Sequence, residues 1–303
     1  MTSTTPSADS GTAPASRALL GLALGFVGVV IFGATLPATR IAVGYMDPWF
    51  VALGRAAAAG LIAVVVLAVL RRPLPPRRDL GRYAVVALCL IAGFPGFSSL
   101  AMVTVPASHG GVVIGILPLG TAIAAALVAR ERPSIGFWLT GLAGAALVLV
   151  FTFRQAGGFH VSPGDLFLVV AIAAAAIGYT VSGMLTRTRP GWEVVSWMLV
   201  LALPVTLPLA WWLAPAEPAA VPAAAWWSFA YVALFSQYLG FFFWNAGLAM
   251  GGIARVGQIQ LLQPFVTLGI AATLNREPVG ADTLLFAAAV AACVLAGSRM
   301  KAR

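Results

Sequence analysis

Long apolar runs separated by short polar gaps dominate the chain. A helix crossing a bilayer needs about 20 apolar residues. On that scale the runs fall near 18–44, 48–70, 83–104, 107–129, 134–153, 164–186, 194–213, 224–248, 254–274 and 279–298. Ten transmembrane helices are predicted, with connections too short to hold a soluble domain. Ahead of them, residues 1–16 (MTSTTPSADSGTAPAS) are small and polar and read as a disordered tail. The first run is too long for a signal-peptide core and no convincing cleavage site follows it, so a retained helix is expected.

Composition makes the bilayer the solvent of this chain. Of 303 residues, 61% are hydrophobic and 9% charged, against about 45–50% and about 25% in soluble domains. No soluble core of this size hides that excess. The net charge is +9, and every cation but Lys301 is arginine. In a soluble protein such a balance suggests nucleic acid. Here the cations sit in the gaps and signal topology instead, so no nucleic-acid partner is expected. With the N-terminus inside, Arg17, Arg71, Arg72, Arg77, Arg78, Arg82, Arg130, Arg132, Arg187, Arg189, Arg255, Arg299, Lys301 and Arg303 all fall on the cytoplasmic side. Only Arg154 and Arg276 fall in outer loops, while Arg40 and Arg55 lie within or near spans. The positive-inside rule then places both termini in the cytoplasm. Cys89 and Cys293 each lie inside an apolar run, which argues for neither disulfide nor metal.

The chain carries an internal repeat. Leu117-Pro118 through Arg130-Glu131 matches Gln263-Pro264 through Arg276-Glu277 at a constant offset, with Thr121 meeting Thr267 and Ala125-Ala126 meeting Ala271-Ala272. Leu100-Ala101-Met102 recurs as Leu248-Ala249-Met250 after a two-residue slip. The offset is half the chain and five spans long. Five is odd, so the second half must cross the bilayer with reversed polarity, as in the inverted repeats of many secondary transporters. The expected fold is an all-α polytopic membrane protein, with ten transmembrane helices as two inverted five-helix repeats around a central cavity. The repeats are assigned to residues 17–153 and 154–303.

These residues resemble the EamA type of the drug/metabolite transporter superfamily. The resemblance rests on the five-plus-five arrangement, on a Pro-x12-Glu element in each half, and on Leu248-Ala249-Met250-Gly251-Gly252-Ile253-Ala254. Arg55, early in the second span, matches an arginine of the family. The resemblance covers about residues 18–298, and the aromatic-rich eighth span is most similar to the family's bacterial aromatic amino acid exporters. It implies a transporter in the bacterial inner membrane, whose cavity is lined mainly by spans 1, 3, 4, 6, 8 and 9.

Span 8 carries the most chemistry. At about 100° per residue, and taking Gln237 as the origin, Tyr238, Phe241, Trp244 and Asn245 fall within about 120° of arc. Leu239, Phe242, Phe243, Ala246 and Gly247 fall opposite. A polar and aromatic arc in hydrocarbon must face protein or a cavity. It is either helix–helix glue or a wall that stacks an apolar ligand and hydrogen-bonds its polar end. In span 9, Gln260 and Gln263 share an arc with Thr267 beside Pro264, a proline that frees a backbone carbonyl. Its counterpart in span 4 is Pro118, preceded by Gly115, and span 3 offers Pro95. Matched Pro and Gly interruptions in two halves point to a transporter site, although a simple kink explains each alone. Spans 3, 6 and 1 add Ser98, Ser99 and Met102, Tyr179 and Ser182, and Thr35. His109 opens span 4 as either a satisfied interfacial residue or a proton-linked one. Arg55 is expected to snorkel outward or to pair with Asp47. Trp49, Trp211, Trp212, Trp226 and Trp227 read as an outer aromatic belt.

The function expected is secondary transport of small metabolites, with aromatic and other large apolar amino acids as the favoured substrates. Export of another metabolite, such as a small polar amino acid, a nucleobase or a drug, is the alternative. Membrane-embedded catalysis needs acid/base or metal constellations. The two histidines are far apart, no span holds a mid-membrane acid, and there is no Cys/His cluster or nucleotide fingerprint. No enzyme activity, cofactor or metal is therefore expected. The partners expected are a small-molecule substrate and the bilayer, with the chain acting as a monomer. Because all nine acids lie in the tail, in loops or near span ends, transport down the substrate gradient without an ion partner is expected.

Overall fold

The computed structural model describes residues 12–128, 135–155, 161–251 and 258–299, and no strand occurs among them. The tail through residue 11, the pair Arg130-Glu131 and the stretch from Gly252 to Ala254 lie outside the described residues.

Helix α1 (Thr12–Gly33) bends at Ala34 into α2 (Thr35–Val43). Helix α3 (Pro48–Val69) opens on a proline whose missing N–H costs nothing there. Asp47 caps it, accepting from the Trp49 and Phe50 amides at 2.8 and 3.0 Å. Helices α4 (Leu80–Ala87) and α5 (Phe94–Thr104) are joined by a π-helical turn, Leu88–Gly93. After Pro106 come α6 (Ala107–Ile114) and α7 (Leu117–Val128), mutually bent by 40°. Helix α8 is Ile135–Gln155. Helix α9 (Pro163–Leu185) starts with a reciprocal cap between Ser162 and Asp165. Helix α10 (Gly191–Trp212) contains Pro204 and Pro208. A second π-helical turn, Val232–Leu239, joins α11 (Ala223–Tyr231) to α12 (Gly240–Gly251). A 3-10 turn, Gln258–Leu262, leads into α13 (Gln263–Leu274), and α14 spans Ala281–Arg299.

Five of these runs are long and apolar enough to cross a membrane: Leu19–Val43, Pro48–Val69, Arg77–Thr104, Pro163–Leu185 and Gly191–Trp212. The bent pair α6 and α7 makes a sixth when counted as one span. Shorter apolar helices, Trp138–Arg154, Gln263–Leu274 and Ala281–Ala296, occupy three more of the expected runs. In the eighth run the helix is divided by its π-turn.

The packing follows small residues. Helix α1 lies against α12, α3 against α10, and α9 against α5 and α7. Gly21 and Gly25, one turn apart on α1, meet Gly247 of α12. A Cβ on Gly247 stands only 2.7 Å from the Gly25 amide nitrogen and 2.9 Å from the Gly21 oxygen. Glycine at these positions lets two backbones touch, the close-approach device of membrane helix pairs. Large apolar side chains such as Leu139, Leu142, Val65 and Leu285 are exposed around the periphery, where lipid replaces water as their surroundings.

Candidate functional site

The broken helices converge on one cavity of about 450 Å³, within the range of about 300–1,000 Å³ typical of small-molecule sites. At one end it is lined by the exposed Gly183 and Thr186. At the other it ends on buried groups: Thr35, Leu36, Arg55, Ser236 and Thr267. The cavity is thus open toward the α9–α10 connection and closed toward α2 and α6.

One wall belongs to the π-turn and α12. Gln237, Phe241, Trp244 and Asn245 line the cavity, with Phe32 of α1 packed edge-on to Phe241 at 5.1 Å. Trp244 fits because its backbone lies 3.3 Å from where a Gly28 side chain would begin. Asn245 reaches the start of α10 because residue 191 is glycine; a Cβ there stands 2.5 Å from its amide nitrogen. Thr35, Tyr179, Ser182, Gln260 and Gln263 complete the set of expected polar groups that the structure brings together. Pro95, Gly115 and Pro264 also line the cavity.

The prolines stand at seams between helical segments. Pro95 and Pro264 are the second residues of α5 and α13, where each missing N–H leaves a carbonyl of the preceding helical turn without its ladder bond. They mark where a helix restarts after a π or 3-10 segment. Pro118 is likewise the second residue of α7, and its side chain lies outside what the structure describes.

Four expected cavity residues lie elsewhere. Tyr238 is buried, and its hydroxyl shares a 2.8 Å hydrogen bond with Ser196 of α10. It sits at the edge of the arc, and the neighbouring helix captures it. Ser98 donates to the Pro95 carbonyl at 3.2 Å. Ser99 is wholly buried, and its hydroxyl has no partner among the described residues. Met102 packs on Gly110, where a Cβ comes within 2.8 Å of its Cε. These three serve the packing of α5, since a helix buried on most sides shows its small residues to neighbours.

His109 is outside the cavity as well. Its Nε2 is 2.6 Å from Asp165 Oδ1, and its ring stacks on Phe151 at 5.2 Å. Asp165 Oδ2 accepts from the Ser162 amide and hydroxyl. Beside this pair, Glu277 accepts from the first amides of α6, Ala107 and Ser108, both at 2.8 Å. Glu277 also meets Arg40 Nε at 3.2 Å, and Arg40 donates onward to the Met102 and Val105 carbonyls. Arg276 adopts φ 55°, a left-handed turn that returns the Glu277 amide to the Ala271 carbonyl at 3.2 Å. Charged side chains thus knit together the closed end of the cavity.

Arg55 departs from its expected role. It neither snorkels nor pairs with Asp47, whose carboxylate is spent on the α3 cap. Its side chain is 3% exposed and lines the cavity. Nε donates to Gln237 Oε1 at 2.9 Å and Nη2 to Ser236 Oγ at 3.2 Å. Ser236 in turn shares a 2.8 Å bond with Thr35. An arginine deep in a span costs about 2.5–3.5 kcal/mol on the insertion scale, so its retention calls for an explanation. The sequence signal was present: a cation inside an apolar run, with no acid one turn away on either side.

A model of the EamA-like transporter family matches this chain twice, over residues 19–153 and 162–297. The chain belongs to the EamA-like transporter family. It is therefore a polytopic membrane transporter of the drug/metabolite transporter superfamily. The transporter is 44% identical over 276 residues to the uncharacterized transporter YdeK of Bacillus subtilis (strain 168), covering 91% of this chain and 96% of that one. It is 21% identical over 258 residues to the uncharacterized transporter YyaM of the same strain, covering 82% and 84%. A crystal structure with 18% identity shares its fold, with a TM-score of 0.61 over 94% of this chain and 96% of the other.

Proposed function

We infer that this EamA transporter moves small amphipathic metabolites by alternating access, with aromatic and other large apolar amino acids as substrates. The observation that carries the reading is the cavity itself. Phe32, Phe241 and Trp244 offer stacking surface in the same cavity as the amides of Asn245, Gln260 and Gln263, a match for an apolar body with a polar end. Ten spans in two inverted halves, 17–153 and 154–303, are proposed with it. The two family matches and the opposed ends of the cavity support that arrangement. The charge bias of the loops supports cytoplasmic termini, and on that topology the cavity opens to the cytoplasm and is closed on the outer side.

Among the described residues, no carboxylate lines the cavity, which supports transport down the substrate gradient without a coupled ion, by one chain acting alone. The test is counterflow in proteoliposomes with no ion gradient. Preloaded unlabelled phenylalanine or tryptophan is expected to accelerate entry of labelled phenylalanine. Threonine in its place is expected to do so much less. Acceleration by threonine alone overturns the substrate class and favours export of small polar amino acids. Accumulation that needs a proton gradient and fails in His109→Ala overturns the uncoupled mechanism.

A further inference from the structure

A guanidinium carries five N–H donors and no acceptor. Arg55 spends one on Gln237 and one on Ser236. The other three have no partner among the described residues, yet the side chain is 3% exposed. Salt bridges do occur in this protein, at Arg40, Arg82 and Arg189, but Arg55 makes none among the described residues. The described cavity wall holds no carboxylate to balance it.

Its neighbours are arranged as holders, not as counter-ions. Gln237 turns its oxygen, not its NH2, to Arg55. Ser236 and Thr35 extend the chain of hydroxyls along the same wall. Both Ser236 and Gln237 come from the π-turn, a distortion that recurs at functional sites. The buried end of the cavity therefore presents donors and a fixed positive charge. A buried charge without a partner is unfavourable, and an incoming anion relieves it.

We propose that Arg55 is the anion subsite of the cavity and that the transported molecule enters with a carboxylate leading. The planar fork of arginine matches the two oxygens of a carboxylate. The apolar body then lies against Phe32, Phe241 and Trp244, toward the open end. The proposal rests on the transport reading above and narrows it to carboxylates with an apolar body. Neutral or purely cationic molecules of the same shape are rejected.

The test is binding to the purified full-length transporter by calorimetry, using two shape-matched pairs. One pair is phenylalanine and phenylalaninamide; the other is 3-phenylpropionate and 3-phenylpropionamide. In the wild type each acid is expected to bind about 10- to 100-fold more tightly than its amide, the factor for one or two charge-assisted hydrogen bonds. Arg55→Gln is expected to bring each ratio to near unity, and Arg55→Lys to leave part of it. Should Arg55→Gln fail to fold, the wild-type ratio and Arg55→Lys still decide. An amide that binds as well as its acid in the wild type overturns the proposal, as does an unchanged ratio in Arg55→Gln. If 3-phenylpropionate shows the preference and phenylalanine does not bind, the anion subsite stands and the amino acid reading falls. If phenylalanine and its amide bind equally, the reverse holds. If neither acid binds, both fall.

Discussion

Removing the negative charge of Glu277 tests whether the closed end of the cavity is a gate. Glu277→Gln keeps the shape but converts one acceptor oxygen into a donor that faces the Ala107 or Ser108 amide. One charge-assisted bond is lost, worth about 1.5–3 kcal/mol, and the other is reduced to a neutral one of about 1 kcal/mol. The ion pair with Arg40, whose side chain is 32% exposed, adds less than about 1 kcal/mol after screening. Taking the low end of each hydrogen-bond term, a net cost of about 2–3 kcal/mol falls on the conformation in which α6, α2 and the α13–α14 connection meet. On alternating access that conformation is the one closed at this end. Its opening is then expected to become about 30- to 150-fold more frequent, at about 1.4 kcal/mol per tenfold. The reporter is Leu36→Cys, a buried cavity position, in a background where Cys89 and Cys293 are serine. A membrane-impermeant maleimide applied to whole cells reads opening on the outer side. Faster labelling in Glu277→Gln is expected. Unchanged labelling together with a lower melting temperature refutes the gate and leaves the cluster as a staple of the fold.

Trp244→Ala and Asn245→Ala are each expected to reduce counterflow at least about tenfold while the protein still inserts, with Phe243→Ala on the opposite face milder; the reverse order refutes the assignment of the cavity wall. Gly247→Ala places a Cβ 2.7 Å from a backbone nitrogen that no rotamer change moves. A cost of about 1–3 kcal/mol, read as a lower melting temperature, is expected, and an unchanged melting temperature contradicts the close crossing of α1 and α12. A reporter enzyme fused after Arg303 is expected to be active only in the cytoplasm; activity only outside refutes the topology.

The sequence made the helical, lipid-facing character legible because composition and run length act over whole segments. Most of the span 8 wall was also legible, since Phe241, Trp244 and Asn245 keep helical spacing from Gln237. Its edges were not. A uniform step of about 100° per residue puts Tyr238 inside the arc and Ser236 outside it. The structure does the opposite: α10 draws the phenol to Ser196, and the π-turn carries Ser236 round to Arg55. Arg55 itself was misassigned because the nearest acid in sequence, Asp47, is consumed by its own helix cap. The true partners, Ser236 and Gln237, lie more than 180 residues away. No local pattern reveals such a pairing. Ser98, Ser99 and Met102 failed for a related reason. A helix enclosed by protein has more than one inward face, and periodicity does not say which of them adjoins empty space.

The turn at Val232–Leu239 also has a consequence for chain editing. A π-turn closes its hydrogen bonds one residue later than an α-turn does, so the segment behaves as an α-helix carrying one inserted residue. Deleting a residue there restores an unbroken α ladder at little cost in backbone bonding. The helix on the far side then keeps its phase, because the wide turn had already absorbed the roughly 100° that an extra residue would add. Trp244 and Asn245 would stay on the cavity wall, while Ser236 and Gln237 would lose the wide turn that carries them to Arg55. In this helix the single extra residue leaves the phase between the two ends unchanged and sets only what the turn between them presents.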